Sequence, residues 1–198
     1  VVQITIGANF SCCYQNACAA AQEYENVFVV DSENLSTGQG LLVVAAAKLA
    51  EQGLSGAEIA ERVRAIAPKV EASFLIECLD YMRKGGRCSA VAALGANLLH
   101  LKPCIEVRNG KMAVCKKYRG SFEKCIRQYV KERLDGREDI APELAFITHA
   151  AADANVVAAA KEEAAQYGSF ETVEETQAGC TVSCHCGPNT LGILFVRK

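Results

Sequence analysis

The strongest constraint on the fold is a succession of apolar, β-branched runs and helix-forming segments in the first 77 residues. Runs at residues 1–6 (VVQITI) and 26–32 (NVFVVDS) predict strands buried on both faces of a parallel sheet, and residues 70–77 (VEASFLIE) also favour a strand. Two helices are predicted between the second and third of these strands, at residues 36–53 and 55–67. Strands alternating with helices are typical of a parallel α/β sheet.

Capping residues indicate where two helices begin. Ser11 stands where the N-cap of a helix is expected, directly before an alanine-rich segment. Ser55 and Glu58 have the spacing of a capping box, in which each side chain bonds the backbone of the other residue. Both helices are therefore expected to follow their serines closely.

The pattern changes after Gly85 and Gly86. The dipeptide Asn109-Gly110 separates two runs of strand character, which predicts a β-hairpin. The other predicted elements are helices at 89–101, about 120–134 and 152–168, and strands at 143–149, 169–176 and 190–198. We therefore expect an α/β protein of two lobes, with a parallel sheet in residues 1–85 and a mixed sheet with a hairpin in residues 86–198.

Composition excludes several classes of protein. Hydrophobic residues make up 51% of the 198 residues, which is enough to bury a core, and the formal net charge is −2 with both signs interspersed. Neither a nucleic-acid partner nor a membrane span is expected, because no basic stretch is long enough to follow phosphates and the apolar runs are too short. No signal peptide is recognisable. The chain begins at Val1, and we expect a further N-terminal segment to be missing.

Eleven cysteines are many for a chain of this length. No two of them have the C-x-x-C spacing of structural zinc sites and thioredoxin-like centres. Most have apolar neighbours in the sequence, where a free cysteine behaves as a small buried hydrophobe. We therefore expect most cysteines to be buried and reduced, and the protein to be cytoplasmic.

Three segments combine a permissive backbone with polar groups that suit a bound anion. Ser11 follows a strand, Arg87 follows two glycines, and His185 precedes Gly-Pro in residues 179–192 (GCTVSCHCGPNTLG). A hydroxyl at a helix start, an arginine and a histidine make a good receptor for a carboxylate or phosphate. We predict that Arg87 and His185 approach one pocket.

Each of these residues also has a purely structural interpretation. Ser11 could only cap its helix, Arg87 could pair with a surface acid, and His185 could be a turn residue. Structural roles are expected for His100 and His149. Asp31 and Ser32, which follow the second strand, are expected to cap it rather than to bind a ligand.

Four ordered motifs together resemble the DegV family of bacterial fatty-acid-binding proteins. The family's strand and S-G-T-Y turn are similar to the segment ITIGANFSCCYQNACAAA. The family's next segment is similar to NVFVVDSENLSTGQG. LDYMRKGGRCSAVAALGANLLHLKPCIEVRNGKM is similar to its GGR block, and VSCHCGPNTLGILF to its closing H-x-G-P segment. The resemblance covers essentially the whole chain, and it lacks the family's upstream T-S-D and T-S-x-P-S motifs.

The resemblance implies a lipid-binding subunit rather than an enzyme. It implies that a long-chain fatty acid lies between two lobes, with its carboxylate held near Ser11, Arg87 and His185. It also implies presentation of that carboxylate to a fatty acid kinase for acyl-phosphate formation, without a cofactor or metal.

Two other functions remain open from the residues alone. One is a thiol-dependent redox or metal-binding protein that uses Cys180, Cys184, His185 and Cys186. The other is a hydrolase that uses Ser11, although no G-x-S-x-G motif surrounds this serine and no triad partner can be identified.

Overall fold

The computed structural model describes residues 1–86 and 101–198. The predicted fold class is confirmed, because a small parallel sheet and a larger mixed sheet are both present. The chain divides into two compact units, Val1–Val70 with Arg108–Lys111, and Glu71–Val107 with Met112–Lys198.

The first unit is built on a two-stranded parallel sheet. Its strands are β1 (Val2–Thr5) and β2 (Phe28–Asp31). Its helices are α1 (Cys13–Ala21), α2 (Ser36–Glu51) and α3 (Gly56–Ile66), followed by a short 3-10 turn at Ala67–Lys69. The predicted capping box opens α3: the Ser55 hydroxyl accepts from the backbone of Glu58, whose carboxylate accepts from the backbone of Ser55. That prediction is confirmed.

The prediction that β1 is buried on both faces is wrong. Within the described residues its hydrogen-bonded neighbour in the sheet is β2, and of its four residues only Thr5 is buried. A β-branched run favours a strand, but it becomes buried only where other layers cover both faces. The buried apolar residues of this unit come mainly from β2, α2 and α3: Val29, Val30, Leu41, Leu42, Ile59, Ala60 and Val63.

The second unit contains a six-stranded sheet of order β5-β4-β3-β8-β6-β7. Its strands are β3 (Val70–Leu75), β4 (Leu101–Arg108), β5 (Lys111–Arg119), β6 (Ile140–Ala150), β7 (Val173–Gln177) and β8 (Thr190–Arg197). Its helices are α4 (Leu79–Gly85), α5 (Phe122–Leu134), α6 (Ala154–Tyr167) and α7 (Cys180–Cys186). Helix α6 is the crossover that lets β6 and β7 pair in parallel.

The strand predicted at residues 70–77 lies in a different sheet from the one expected. It is β3, which pairs antiparallel with β4 and places Leu75 opposite Cys104. The expectation of a parallel strand in the first lobe is wrong, because an apolar run indicates burial but does not identify the neighbouring strand. The two compact units divide between Val70 and Glu71.

The predicted hairpin is confirmed. Asn109 and Gly110 connect β4 to β5, and both have positive φ angles, 52° and 68°. Positive φ at both central residues is what a type I′ turn requires. The helix predicted at 89–101 lies outside the described residues, apart from Leu101, which begins β4.

The core of the second unit lies where α5 and α6 pack on the sheet. Tyr129 on α5 is fully buried at its centre. Its hydroxyl donates to the carbonyl of Ser73 at 2.6 Å and accepts from the backbone N–H of Ile193 at 3.1 Å. One side chain thus connects α5 to both β3 and β8.

Candidate functional site

Ser11 lies in the first unit, in the loop between β1 and α1. The helix begins at Cys13, so the N-cap is Cys12 and not Ser11 as predicted. The Ser11 hydroxyl nevertheless accepts from the backbone N–H of Cys13 at 3.3 Å and lies 3.0 Å from the Cys13 sulfur. Ser11 therefore accepts a hydrogen bond from the first turn of the helix although it lies one residue before the N-cap.

The loop that carries Ser11 is held by Asp31, the last residue of β2. The Asp31 carboxylate accepts from the backbone N–H groups of Ala8, at 3.1 Å, and Glu33, at 2.9 Å. The Ser32 hydroxyl, which is buried, donates to the carbonyl of Asn34 and accepts from its N–H. The prediction that Asp31 and Ser32 are structural caps is confirmed.

His185 lies in the second unit, in the last turn of α7 rather than in the turn that was predicted. The helix ends at Gly187, whose φ of 80° is the conformation that glycine supplies most easily. The imidazole is half-buried, and its Nδ1 is fully buried without a hydrogen-bond partner in the described part of the chain. A buried nitrogen without a partner costs free energy, so it suits a ligand better than a structural role.

Glycines allow α4 and α7 to approach closely. A Cβ atom at Gly85 would lie 2.2 Å from the Nδ1 of His185, and one at Gly187 would lie 2.5 Å from the ring of Tyr81. Neither distance is possible for real atoms, so both positions require glycine while the neighbouring rings stay in place. Gly85 therefore fixes the position of the imidazole.

An apolar cluster adjoins these two helices. Its buried members are Ile76, Met82, Ile105 and Cys186, with Phe74, Leu79, Met112, Val114 and Val182 packed against them. The loop after α7 is tied down by Asn189, whose amide donates to Glu77 at 2.8 Å and accepts from the backbone N–H of Asp153 at 3.0 Å. The Nδ1 of His185 thus lies near an apolar cluster, and hydrogen bonds from Asn189 hold the loop that follows its helix.

Arg87, the third predicted site residue, lies outside the described residues, and so does His100. Ser11 and His185 belong to different units. The convergence of Ser11, Arg87 and His185 on one ligand stays a prediction. His149 has the expected structural role, since its Nε2 lies 3.3 Å from Glu175 and its Nδ1 accepts from the backbone of Ala152.

Sequence reasoning missed Gly85 and Tyr81 as partners of α7. The doublet Gly85-Gly86 was a usable signal, because Gly86 ends α4 in the left-handed conformation while Gly85 is helical and gains nothing from flexibility. A glycine inside a helix lowers helix stability by about 1 kcal/mol relative to alanine. A glycine kept at such a position therefore indicates that another group packs closely against the helix there.

The cysteines are less buried than predicted. Ten lie in the described part of the chain, all unpaired, and only Cys104, Cys125 and Cys186 are buried. The expectation of mostly buried cysteines is wrong, because many lie on short or alanine-rich helices that expose most of their surface. Within residues 1–86 and 101–198, no group of three or more His, Cys, Asp or Glu side chains could hold a metal ion, so Cys180, Cys184, His185 and Cys186 do not form a metal centre.

A surface cleft of about 400 Å³ lies in the second unit, lined in part by Arg137, Tyr167 and Lys198, and it contains none of the predicted site residues. Among the helices described, none has the length and apolar character needed to cross a membrane.

Fold and site together define an α/β protein with a small parallel sheet, a larger mixed sheet and a histidine whose Nδ1 has no hydrogen-bond partner among the described residues. Comparison with known proteins identifies the family to which this α/β protein belongs. The model described as "Uncharacterised protein, DegV family" matches residues 1–198, and the chain belongs to the DegV family.

Three of its relatives are informative. A DegV domain-containing protein of Clostridium acetobutylicum is 32% identical over 202 residues, covering 100% of this chain and 70% of that protein. A structure described as fatty acid binding of a DegV family protein from Thermus thermophilus has a TM-score of 0.86 and 27% identity, covering 100% of this chain and 71% of the other. DegV of Bacillus subtilis, described as a fatty acid binding protein, has a TM-score of 0.79 and 26% identity over the same shares.

Proposed function

We propose that this chain binds a long-chain fatty acid and that Ser11, Arg87 and His185 serve its carboxylate. The observation that supports the proposal most strongly is the Nδ1 of His185, which is buried and has no hydrogen-bond partner within residues 1–86 and 101–198. The chain belongs to a family whose Thermus thermophilus and Bacillus subtilis structures are described as binding fatty acids. A carboxylate beside an acyl chain needs charged or multiple donors, because the apolar surroundings remove its water.

The position of His185 adds to this support. Its ring contacts Gly85, and Arg87 follows Gly85 by only two positions in the sequence. The apolar cluster around Met82 and Cys186 adjoins the same two helices and offers the nonpolar surface that an acyl tail requires. Within the second unit, an imidazole and an apolar cluster thus lie beside the same two helices.

The finer part of the proposal concerns the fate of the ligand. The chain acts as a cytoplasmic, non-catalytic carrier that presents the carboxylate to a partner kinase, which forms the acyl phosphate. The ten cysteines in the described part of the chain are all unpaired, which suits a reducing compartment. Addition of the fatty-acid-loaded chain to such a kinase with ATP is expected to yield acyl phosphate. Acyl phosphate formed equally well from free fatty acid without the chain would contradict the presentation step.

Binding is tested by extraction. Organic extracts of the purified chain are expected to contain a long-chain fatty acid, identified by mass spectrometry. The His185→Ala variant should bind the fatty acid about ten- to hundredfold more weakly than the wild type, which is the effect of losing one hydrogen bond to a charged group. The matched control is His149→Ala, which removes a histidine with structural partners. Extracts without fatty acid, from protein that also fails to bind added fatty acid, would overturn the proposal.

A further inference from the structure

A pair of cysteines on the β4–β5 hairpin is separate from the site proposed for the carboxylate. Cys104 belongs to the core cluster around Tyr129, whereas the next residue, Ile105, belongs to the cluster beside α7. Successive side chains of a strand point to opposite faces of the sheet. Cys104 and His185 are therefore associated with different faces.

The two cysteines are cross-strand neighbours. Counting back from Arg108 and Lys111, which flank the two-residue turn, places Cys104 opposite Cys115. The Cys115 thiol donates to the carbonyl of Cys104 at 3.4 Å, so the Cys115 side chain reaches across to its neighbour on β4. Directly opposed residues of antiparallel strands have Cα atoms about 4.5–5.5 Å apart, which lies within the range that a disulfide spans.

The two thiols differ in exposure. Cys104 is fully buried, whereas Cys115 is exposed on the edge strand β5. A reagent in solution can therefore reach the Cys115 sulfur, while Cys104 is shielded behind it. This is the arrangement of an attacking thiol with a resolving thiol beside it.

Arg133 on α5 supplies a positive charge to the pair. Its Nη2 lies 3.0 Å from the sulfur of Cys115, 3.8 Å from that of Cys104 and 3.4 Å from Oε2 of Glu106. The Arg133 side chain is only 21% exposed, so the guanidinium is held in place. A thiolate on Cys115 is thus stabilised by a fixed cation.

Charge and hydrogen bonding separate the two thiols chemically. The hydrogen bond from Cys104 and then the charge of Arg133 lower the pKa of Cys115 to about 7, against the effects of burial and of Glu106. The same hydrogen bond, together with burial, raises the pKa of Cys104 far above its usual value. At neutral pH the proton therefore stays on the buried sulfur and the exposed sulfur is partly thiolate.

We propose that Cys115 and Cys104 form a peroxide-oxidisable dithiol, with Cys115 as the attacking thiolate and Cys104 as the resolving thiol. The Cys115 thiolate attacks one oxygen of a hydroperoxide; the O–O bond breaks, and the leaving alkoxide or hydroxide takes a proton from water. Cys104 then attacks the sulfenic sulfur, forming the S–S bond, and the hydroxide that leaves combines with the Cys104 proton as water. Two thiols are oxidised by two electrons, and the peroxide is reduced by two.

The direct test is oxidation of the reduced full chain with hydrogen peroxide. The expected product has lost two hydrogens and yields a peptide pair linked through Cys104 and Cys115 in a digest without reductant. Cys104→Ser should accumulate a sulfenic acid on Cys115 that a dimedone probe traps, and Cys115→Ser should leave Cys104 unoxidised. The proposal fails if Cys115 oxidises no faster than the exposed Cys180 and Cys184, or if the linked pair involves other cysteines.

A second test measures the role of Arg133 without relying on the disulfide. Alkylation of Cys115 by iodoacetamide should have a pH midpoint of about 7 in the wild type. Its rate at pH 7 should be about three- to fourfold above that of an ordinary thiol, because the larger thiolate fraction is partly offset by lower nucleophilicity. The ionisable groups around the pair are Glu106 on β4, Tyr118 on β5, and Tyr129, Glu132 and Arg133 on α5.

Substitutions separate charge from packing in this second test. Arg133→Gln should raise the alkylation midpoint and Arg133→Lys should restore part of the shift, whereas Arg119→Gln, which removes a cation from the same strand, should not move it. A wild-type midpoint above about 8.5, the value of an unperturbed thiol, would overturn the proposal even if the Arg133 variants did not fold.

Discussion

Helices α1 and α5 show how the two units differ. Helix α5 has apolar residues at 122, 125, 126, 129 and 130, the spacing of a stripe along one face, and all five are buried. Helix α1 is rich in alanine and cysteine, has no such stripe, and buries none of its residues. The sequence predicts both helices equally well, but it predicts burial only where side chains are large and regularly spaced.

The same difference holds for whole units. The second unit has a continuous core between its sheet and helices α5 and α6. The first unit has a two-stranded sheet and fewer buried apolar residues. We expect the second unit to tolerate loss of core volume less well, because its densely packed neighbours cannot move into a cavity. Three predictions test this comparison.

The largest effects are expected from matched leucine deletions. Leu191 on β8 and Leu42 on α2 are both fully buried, one in each unit. Leu191→Ala should lower the free energy of unfolding by about 4–5 kcal/mol, whereas Leu42→Ala should cost about 2–3 kcal/mol because its surroundings can collapse. Denaturant unfolding monitored with hydrogen exchange would assign each loss to its unit. Equal losses at the two sites would remove the distinction between the cores.

A smaller effect is expected at Tyr129. Tyr129→Phe keeps the ring but leaves the carbonyl of Ser73 and the N–H of Ile193 without this partner, which should cost about 2–3 kcal/mol in unfolding free energy. Tyr24→Phe in the first unit is the control, because Tyr24 is 59% exposed and should change stability by less than about 0.5 kcal/mol. A neutral Tyr129→Phe variant would mean that these bonds do not hold α5 to the sheet.

Several features of the second unit could be predicted from the sequence, and others could not. Asn109-Gly110 identified the hairpin because positive φ angles at both positions demand such residues. No local pattern indicated that Tyr129 bonds two strands, or that β3 pairs with β4, because both depend on residues distant in sequence.

For the candidate site, too, the sequence predicted which residues are involved better than it predicted their contacts. His185 was found from its motif, but the motif did not show that its ring rests against Gly85, since that contact joins residues 100 positions apart. Ser11 was predicted to be the N-cap, but a turn closed by the Phe10 N–H and the Gly7 carbonyl precedes it, and the N-cap is Cys12, one residue later.

The capping box of α3 gives a third prediction, in the first unit. Ser55→Ala should cost about 1 kcal/mol in unfolding free energy at pH 7. The hydrogen bonds from Ser55 lower the pKa of Glu58, so the stabilisation is present above the unfolded-state pKa of about 4.3 and is lost as the pH falls through the lower folded-state value. The difference between wild type and variant should therefore shrink at acidic pH. A difference that grows with acidification would contradict the assignment.

The most direct test of the account is the affinity of the delipidated chain for a long-chain fatty acid in two glycine variants at the ends of the same helix pair. Gly85→Ala drives a methyl group into the Nδ1 of His185, whereas Gly179→Ala, at the start of α7, meets no atom within 4 Å. Gly85→Ala should raise the Kd roughly ten- to hundredfold, whereas Gly179→Ala should change it little. Unchanged affinity in a folded Gly85→Ala protein would show that His185 does not hold the carboxylate.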